Sequence, residues 1–312
     1  MARQPGPGPG PAPRRSRRLA LRLVITGAAG QLGRLAAAEL LKQVPPGEVV
    51  LVSRTPAALA DFERQGATVR FGDFEQPASL PAAFAGGERA LVISTLGARD
   101  TVAAHRAAFE AAARAGVGHV VYTSVQNPVA ANPFPAAQPQ RLSEDALRAA
   151  GVPWTILRNA LYADLRAQLA AAYVRDGRWT TNTGAGAHAY VARADCAAAA
   201  VAALITDGHA GRAYDITGPE LIGAPQFLAL LEELGGRPVT CAAVDDDAYE
   251  AYRTAFMADP ANAGCFELFT GSGVAIRTGY LSQLGTGVRQ LTGRPPLTLA
   301  RLARHYRDNA GG

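Results

Sequence analysis

Lysine is almost missing: among 31 basic residues only Lys42 is a lysine. It falls late in the first helical segment, remote from any strand end, so it cannot serve as an acid or base where ligands of α/β proteins sit. The 3 cysteines, Cys196, Cys241 and Cys265, are far apart and lack C-x-x-C spacing. That argues against a disulfide framework and a zinc site, and suits a reducing, cytoplasmic setting. No run of about 18 apolar residues occurs, so no membrane-spanning helix is expected. Acids are missing from the first twenty residues, where Arg3, Arg14, Arg15, Arg17 and Arg18 account for the whole formal charge of +5. The remainder is formally neutral, which gives no electrostatic argument for a nucleic-acid partner.

That leading segment, 1–20, is rich in proline, glycine and arginine, cannot bury enough surface to order itself, and reads as a disordered tail. It lacks the apolar stretch of a signal peptide. The organising element follows it, LRLVITGAAGQLGRLAAAEL at Leu21–Leu40. The aliphatic run Leu23–Ile25 predicts a buried strand, and an alanine- and leucine-rich helix begins after Gly27, Gly30 and Gly33. In a dinucleotide-binding βαβ unit Gly27 permits the tight turn, Gly30 lets backbone approach a pyrophosphate, and Gly33 lets the helix lie against the strand. The helix N-terminus adds free N–H groups and a positive dipole end.

A second strand over Glu48–Ser53 ends at Ser53-Arg54-Thr55. An NAD-preferring enzyme carries an acid here for the ribose 2′-OH; Ser53 and Arg54 instead suit the 2′-phosphate of NADP(H). Further strands are expected at Thr68–Phe71, Ala90–Ser94, His119–Ser124, Trp154–Leu157, Ala213–Thr217 and Pro238–Ala243. Helices are expected between them, among them Thr101–Ala115, Leu142–Ala150 and Asp195–Ile205. This alternation predicts an α/β fold, a doubly wound parallel (Rossmann) sheet with ligands at the carboxyl ends of its strands. Asp73 and Phe74 would border an adenine, and Thr95, Leu96 and Gly97 a ribose and nicotinamide. The NADP-binding domain is expected over 21–160, with a smaller, mostly helical substrate lobe over 161–312 interleaved with it. Gly177–Val191 has the composition of a binding loop.

TGAAGQLG at Thr26–Gly33, SRTP at Ser53–Pro56, GDFEQPASL at Gly72–Leu80, AGVGHVVYTS at Ala115–Ser124 and LRNALYAD at Leu157–Asp164 carry a family likeness. With RADCAAAA at Arg193–Ala200 and LTGRPPLTL at Leu291–Leu299, they make nearly the whole chain after residue 21 resemble the NmrA-like atypical short-chain dehydrogenase/reductases. The nearest branches are the type 2 NAD(P)H:quinone reductases and the triphenylmethane-dye reductases. The resemblance implies that Gly27, Gly30, Gln31, Leu32 and Gly33 hold the pyrophosphate and Arg54 the 2′-phosphate. Asp73 and Phe74 would take the adenine edge, Ser94 to Gly97 and Tyr122, Thr123 and Ser124 the ribose and nicotinamide flank. Asn159 and Tyr162 would lie at the floor of the substrate cleft.

Standard short-chain reductases protonate a ketone with a Tyr-x-x-x-Lys pair. No tyrosine lies between Ala130 and Val152, where that pair belongs. The quinone-reductase branch carries a histidine and a lysine there; Gln140 and Asp145 stand in their places, while Glu144 matches. Hydride would then go to an acceptor needing no strong general acid, such as a quinone, a dye-like cation, an enone or an imine, or a local group would supply the proton. Tyr162, Tyr190 and His188 are the catalytic candidates, and Gln126, Gln140, Asn159, Phe256 and Phe269 the expected substrate contacts. Asp245-Asp246-Asp247 reads as a solvated turn and Arg193 with Asp195 as a structural pair; no metal is expected. The leading expectation is an NADPH-dependent reductase of a conjugated small molecule, acting as a monomer or homodimer. The alternatives are a redox-sensing NADP(H)-binding protein without turnover and a non-redox tailoring enzyme, an isomerase or cyclase.

Overall fold

The computed structural model describes residues 22–95, 97–258 and 270–309. The arginine-rich tail, Leu96 and Phe269 lie outside the described residues. The first strand, β1 (Leu23–Thr26), is buried along its whole length because both of its faces are covered. Leu23 and Ile25 enter one apolar layer and Val24 the other, the pattern of an inner strand in a parallel sheet.

The chain then alternates: α1 (Gln31–Leu41), β2 (Val49–Ser53), α2 (Ala60–Arg64), β3 (Thr68–Phe71), α3 (Leu80–Phe84), β4 (Arg89–Val92), α4 (Thr101–Arg114). It continues through β5 (His119–Val125), α5 (Ala137–Ala149), β6 (Trp154–Asn159), α6 (Ala163–Asp176), β7 (Arg178–Thr181), α7 (Arg193–Ile205) and β8 (Arg212–Ile216). Then come α8 (Ala224–Gly235), β9 (Thr240–Ala243), α9 (Asp246–Ala258), α10 (Thr270–Arg277), α11 (Gly287–Thr292) and α12 (Leu299–Asn309). Seven strands form one parallel sheet in the order β3-β2-β1-β4-β5-β6-β8. The order reverses between β1 and β4, which opens a crevice at the carboxyl ends of the strands.

Alanine decides how closely the helices lie on this sheet. Ala36 and Ala37 of α1 meet Ala197, Ala200 and Leu204 of α7 on one face, while Ala108, Phe109, Ala112 and Leu147 of α4 and α5 cover the other. Both α7 and β8 come after residue 160, so the later half of the chain completes the layers begun by the earlier half.

The structure departs from the sequence pattern at two places. Residues 178–181, within the stretch whose composition reads as a loop, form β7, which pairs in parallel with β9 in a separate two-stranded sheet. With α6, α8 and α12 this small sheet encloses a third apolar cluster around Tyr173, Trp179 and Phe227. Helix α5 starts at Ala137, five residues before the expected start. Pro139 is its third residue, and the first-turn N–H groups of a helix have no intrahelical acceptor, so proline loses nothing there. Among the described residues no helix is long and apolar enough to cross a membrane.

Candidate functional site

Directly after β1 the backbone folds back on itself over Gly27 to Gly30. Gly27 has φ +65°, and its carbonyl accepts from Gly30 N–H at 3.0 Å. Gly30 is the N-cap of α1, which has no side-chain cap and no acid in its first turn. Gly33 lies so close to the turn that an added Cβ would stand 2.2 Å from Gly27 O and 2.7 Å from Ala28 Cα. Helix α1 therefore points its positive end at the turn with its first N–H groups turned toward the crevice. Gln31 is exposed there, whereas the Leu32 side chain belongs to the core and offers only its backbone.

At the end of β2, Ser53 Oγ accepts from Thr55 N–H at 2.9 Å and turns the chain outward. Two arginines lie on this side. Arg34 is committed, bonded to Ala58 O and Asp61 and stacked over Phe62. Arg54 is exposed and has no acidic partner among the described residues. Asp73, past β3, accepts from Glu75 N–H at 3.0 Å and Gln76 Nε2 at 3.1 Å, so its carboxylate braces its own turn. Phe74 is half-buried, edge-on to the His105 ring.

The exit of β4 is held from two sides. Ser94 N–H donates to Thr123 Oγ1 at 2.9 Å, and Thr95 N–H donates to His105 Nε2 at 2.9 Å. An acceptor Nε2 fixes the tautomer: the proton is on Nδ1, which lies 2.9 Å from Ser143 Oγ and 3.0 Å from Tyr122 Oη. Tyr122 O–H donates in turn to Gln140 Oε1, and Ser143 to Pro139 O. Burial lowers His105 to about 4 and pushes the Tyr122 phenol up. Next to this network Ser124 Oγ donates to Glu144, which also takes Arg148 and both prongs of Arg158. Burial would raise the Glu144 carboxyl, but Arg158 reverses this and holds it below the usual range.

Tyr122 and Gln140 are wholly buried, and Ser124 nearly so, and their side chains fasten β5 to α4 and α5; Gln140 Nε2 is left without an acceptor among the described residues. His105, which the sequence marks only as a helix residue, is the hub that sets the Thr95 backbone. Its position on the inner face of an alanine-rich helix is the signal that could have found it.

At the ends of β5 and β6 two acceptors are left over. Gln126 Nε2 donates to Gln283 O at 2.7 Å, while Gln126 Oε1 and Asn159 Oδ1 are buried with no donor among the described residues. The two residues adjoin, since Gln126 N–H donates to Asn159 O at 3.0 Å.

Of the three catalytic candidates, His188 is wholly enclosed: Nε2 accepts from Leu161 N–H at 3.0 Å and Nδ1–H donates to Leu281 O at 2.5 Å. Both nitrogens are used by backbone, so the ring acts as a strut between Leu161 and Leu281. Tyr190 is buried against that ring, and its Oη accepts from Arg166 Nε at 3.2 Å. Tyr162 is half-buried with the Arg193 guanidinium 4.6 Å above its ring. Phe256 packs against Tyr173 and Tyr252 in the second lobe. The acidic triplet is not a solvated turn: Asp245 caps α9 through Ala248 N–H, and Asp246 clamps Arg277 and Asn182. Arg277, then Asn182, hold the Asp246 carboxyl at about 2. Asp195 takes Arg294 and Leu297 N–H.

His188 gives a pH prediction. Burial first, and then the Arg166 charge, lower its pKa to about 4 against the pull of the Leu281 carbonyl. Between about 6.5 and about 4 the unfolded chain therefore binds a proton that the folded one refuses, and stability falls with pH by roughly 3 kcal/mol from this group. His188→Gln keeps one acceptor and one donor but does not titrate. Urea unfolding of that variant should lose less stability over this window by about that amount; an unchanged pH slope would contradict the assignment.

Fold and site together define a dinucleotide-binding protein of the doubly wound class. A sequence profile described as NAD(P)H-binding matches residues 27–207, and the chain belongs to that family. Quinone oxidoreductase 2 of Escherichia coli is 31% identical over 284 residues, covering 91% of this chain and 98% of that one. Its crystal structure with NADPH superposes with a TM-score of 0.83, covering 91% of this chain and 99% of that one. The (4-alkanoyl-5-oxo-2,5-dihydrofuran-3-yl)methyl phosphate reductase of Streptomyces griseus is 34% identical over 294 residues, covering 92% and 95%. Triphenylmethane reductase of Citrobacter sp., solved with NADP(H), is 28% identical with a TM-score of 0.83, covering 91% and 99%. The NmrA-like resemblance is thereby borne out.

Proposed function

We propose that this NAD(P)H-dependent oxidoreductase uses NADPH to reduce a flat conjugated acceptor, a quinone or an electron-poor alkene such as an unsaturated lactone. The observation that carries the reading is the pairing of an uncapped, acid-free α1 N-terminus with the exposed Arg54, which has no acidic partner among the described residues. A diphosphate fits the first, and a 2′-phosphate fits the second. Bound NADPH supplies the hydride. In this reading the backbone of Gly27 to Gly33 binds the pyrophosphate, Ser53 and Arg54 the 2′-phosphate, and Asp73 and Phe74 the adenine side.

Ser94 and Thr95, fixed by Thr123 and His105, shape the wall beside the ribose and nicotinamide. The orphaned oxygens of Gln126 and Asn159 fit donors, such as an amide N–H or a sugar hydroxyl of the ligand. Tyr162 opens α6 beside them and stands at the substrate side. Helix α5 has neither tyrosine nor lysine, and Lys42 lies at the far end of α1 bonded to Glu39. With no Tyr-x-x-x-Lys pair, positioning does the work, which suits acceptors whose reduced form is a stabilised anion. E. coli quinone oxidoreductase 2 and the S. griseus reductase are named for acceptors of this kind.

The test is the loss of NADPH absorbance when purified protein meets a panel of naphthoquinones, unsaturated lactones and cationic dyes. NADPH should be consumed one-for-one with acceptor, and faster than NADH. Tight NADP(H) binding with no turnover across the panel would replace this reading with a redox-sensing binding protein.

A further inference from the structure

Arginines of this chain that are partly withdrawn from solvent usually meet an acid, as Arg158 meets Glu144 and Arg89 meets Asp207. Arg166 does not. Its guanidinium carbon lies 5.3 Å from the Tyr190 ring centre and 5.4 Å from those of Trp179 and Phe227. Its one protein hydrogen bond among the described residues is Nε–H to Tyr190 Oη, and no carboxylate faces it. Arg166 is half-buried; drawing a guanidinium even partly out of water without an anion is costly, and aromatic faces offset only part of that cost.

A second donor is left over at the same place. Trp179, 3% exposed, has a buried Nε1–H with no acceptor among the described residues. Trp179, Arg166 and Tyr190 line one small cavity, closed on its apolar side by Ile222 and Ile276 and bordered by Gly223, the N-cap of α8. That helix has no acid in its first turn, so its dipole also favours negative charge. The cavity has room for about one water-sized group. Arg166 stands one helical turn along α6 from Tyr162, which opens the helix after the carboxyl end of β6.

We propose that this cavity is a subsite for an oxyanion, receiving one oxygen of a carboxylate or phosphate arm carried by the reducible substrate. The proposal deepens the reductase reading and rests on it. Arg166 supplies the charge and Trp179 Nε1–H the neutral donor, while the apolar wall excludes the water that would otherwise screen them. The reducible ring then lies toward Tyr162, and an acidic arm fixes which end of the substrate is presented for hydride transfer.

Two readouts test it. The first uses a naphthoquinone carrying a propionate arm and the methyl ester of the same quinone, compared by kcat/KM. The wild-type enzyme should prefer the acid by about tenfold to a hundredfold. Arg166→Met should bring the ratio near unity, and Arg166→Lys should restore part of it. The second readout needs no turnover: inorganic phosphate is titrated into the 15N-labelled full chain while the two indole N–H signals are followed. Trp179 should shift saturably and Trp154 should not, and Arg166→Met should abolish the shift. Equal wild-type rates for acid and ester overturn the assignment of the site to a substrate arm, even if phosphate moves Trp179. An unmoved Trp179 signal overturns the oxyanion site itself. If neither quinone consumes NADPH, the reductase reading fails, and the indole titration still decides whether the cavity binds an oxyanion.

Discussion

Gly33→Ala should remove NADPH binding and lower stability together. The added Cβ would sit 2.2 Å from Gly27 O and 2.9 Å from Ala28 C, both backbone atoms with no rotamer to yield. Helix α1 must then retreat from the turn that its N-terminus serves. Overpacking of this kind costs about 1–3 kcal/mol, and the retreat carries the first N–H groups away from the phosphates they would bind. A phosphate held by charge-assisted bonds loses affinity by well over about tenfold when those donors shift. Gly47→Ala is the control, because an added Cβ there meets nothing within 4 Å. Urea unfolding and NADPH fluorescence titration read both effects. Wild-type NADPH affinity in Gly33→Ala would show that close contact between α1 and the turn is not what builds the site.

The second large effect is expected from Arg54→Ala. The side chain is exposed and makes no ion pair among the described residues, so its removal should leave the fold unchanged. A guanidinium bonded to a phosphate contributes roughly 1.5–3 kcal/mol, which corresponds to about tenfold to a hundredfold in the Kd for NADPH. NADH has no 2′-phosphate, and its Kd should move by less than about threefold. Raising the salt concentration should weaken NADPH in the wild type more than in the variant, because the exposed contact is screened. An equal loss for both coenzymes would mean that Arg54 shapes the loop and does not read the phosphate.

The sheet was legible wherever apolar runs stop at a glycine, as Leu23–Thr26 does at Gly27, because strands buried on both faces need no alternation to betray them. Strand β7 was not: Arg-Trp-Thr-Thr is short, and only its partner β9, some sixty residues on, makes it a strand. The glycine turn was legible because its backbone demands those residues, at the positive φ of Gly27 and the close approach at Gly33. The candidates chosen for their chemistry fared differently. His188 looks like an acid in the sequence, but its two nitrogens are taken by backbone groups of Leu161 and Leu281, which are remote along the chain. Tyr122 and Gln140 likewise point inward, a matter of strand register and helix face that spacing alone does not reveal. Arg166 carries no such signal, because an arginine in an alanine-rich helix reads as a solvated charge, and the rings that flank it, Trp179, Tyr190 and Phe227, come from three later segments of the chain.

The most direct test of the central claim is calorimetric titration of NADPH and of NADH into the purified chain. One NADPH should bind per chain, at least about tenfold more tightly than NADH. No heat from either coenzyme, or a preference for NADH, would contradict the account.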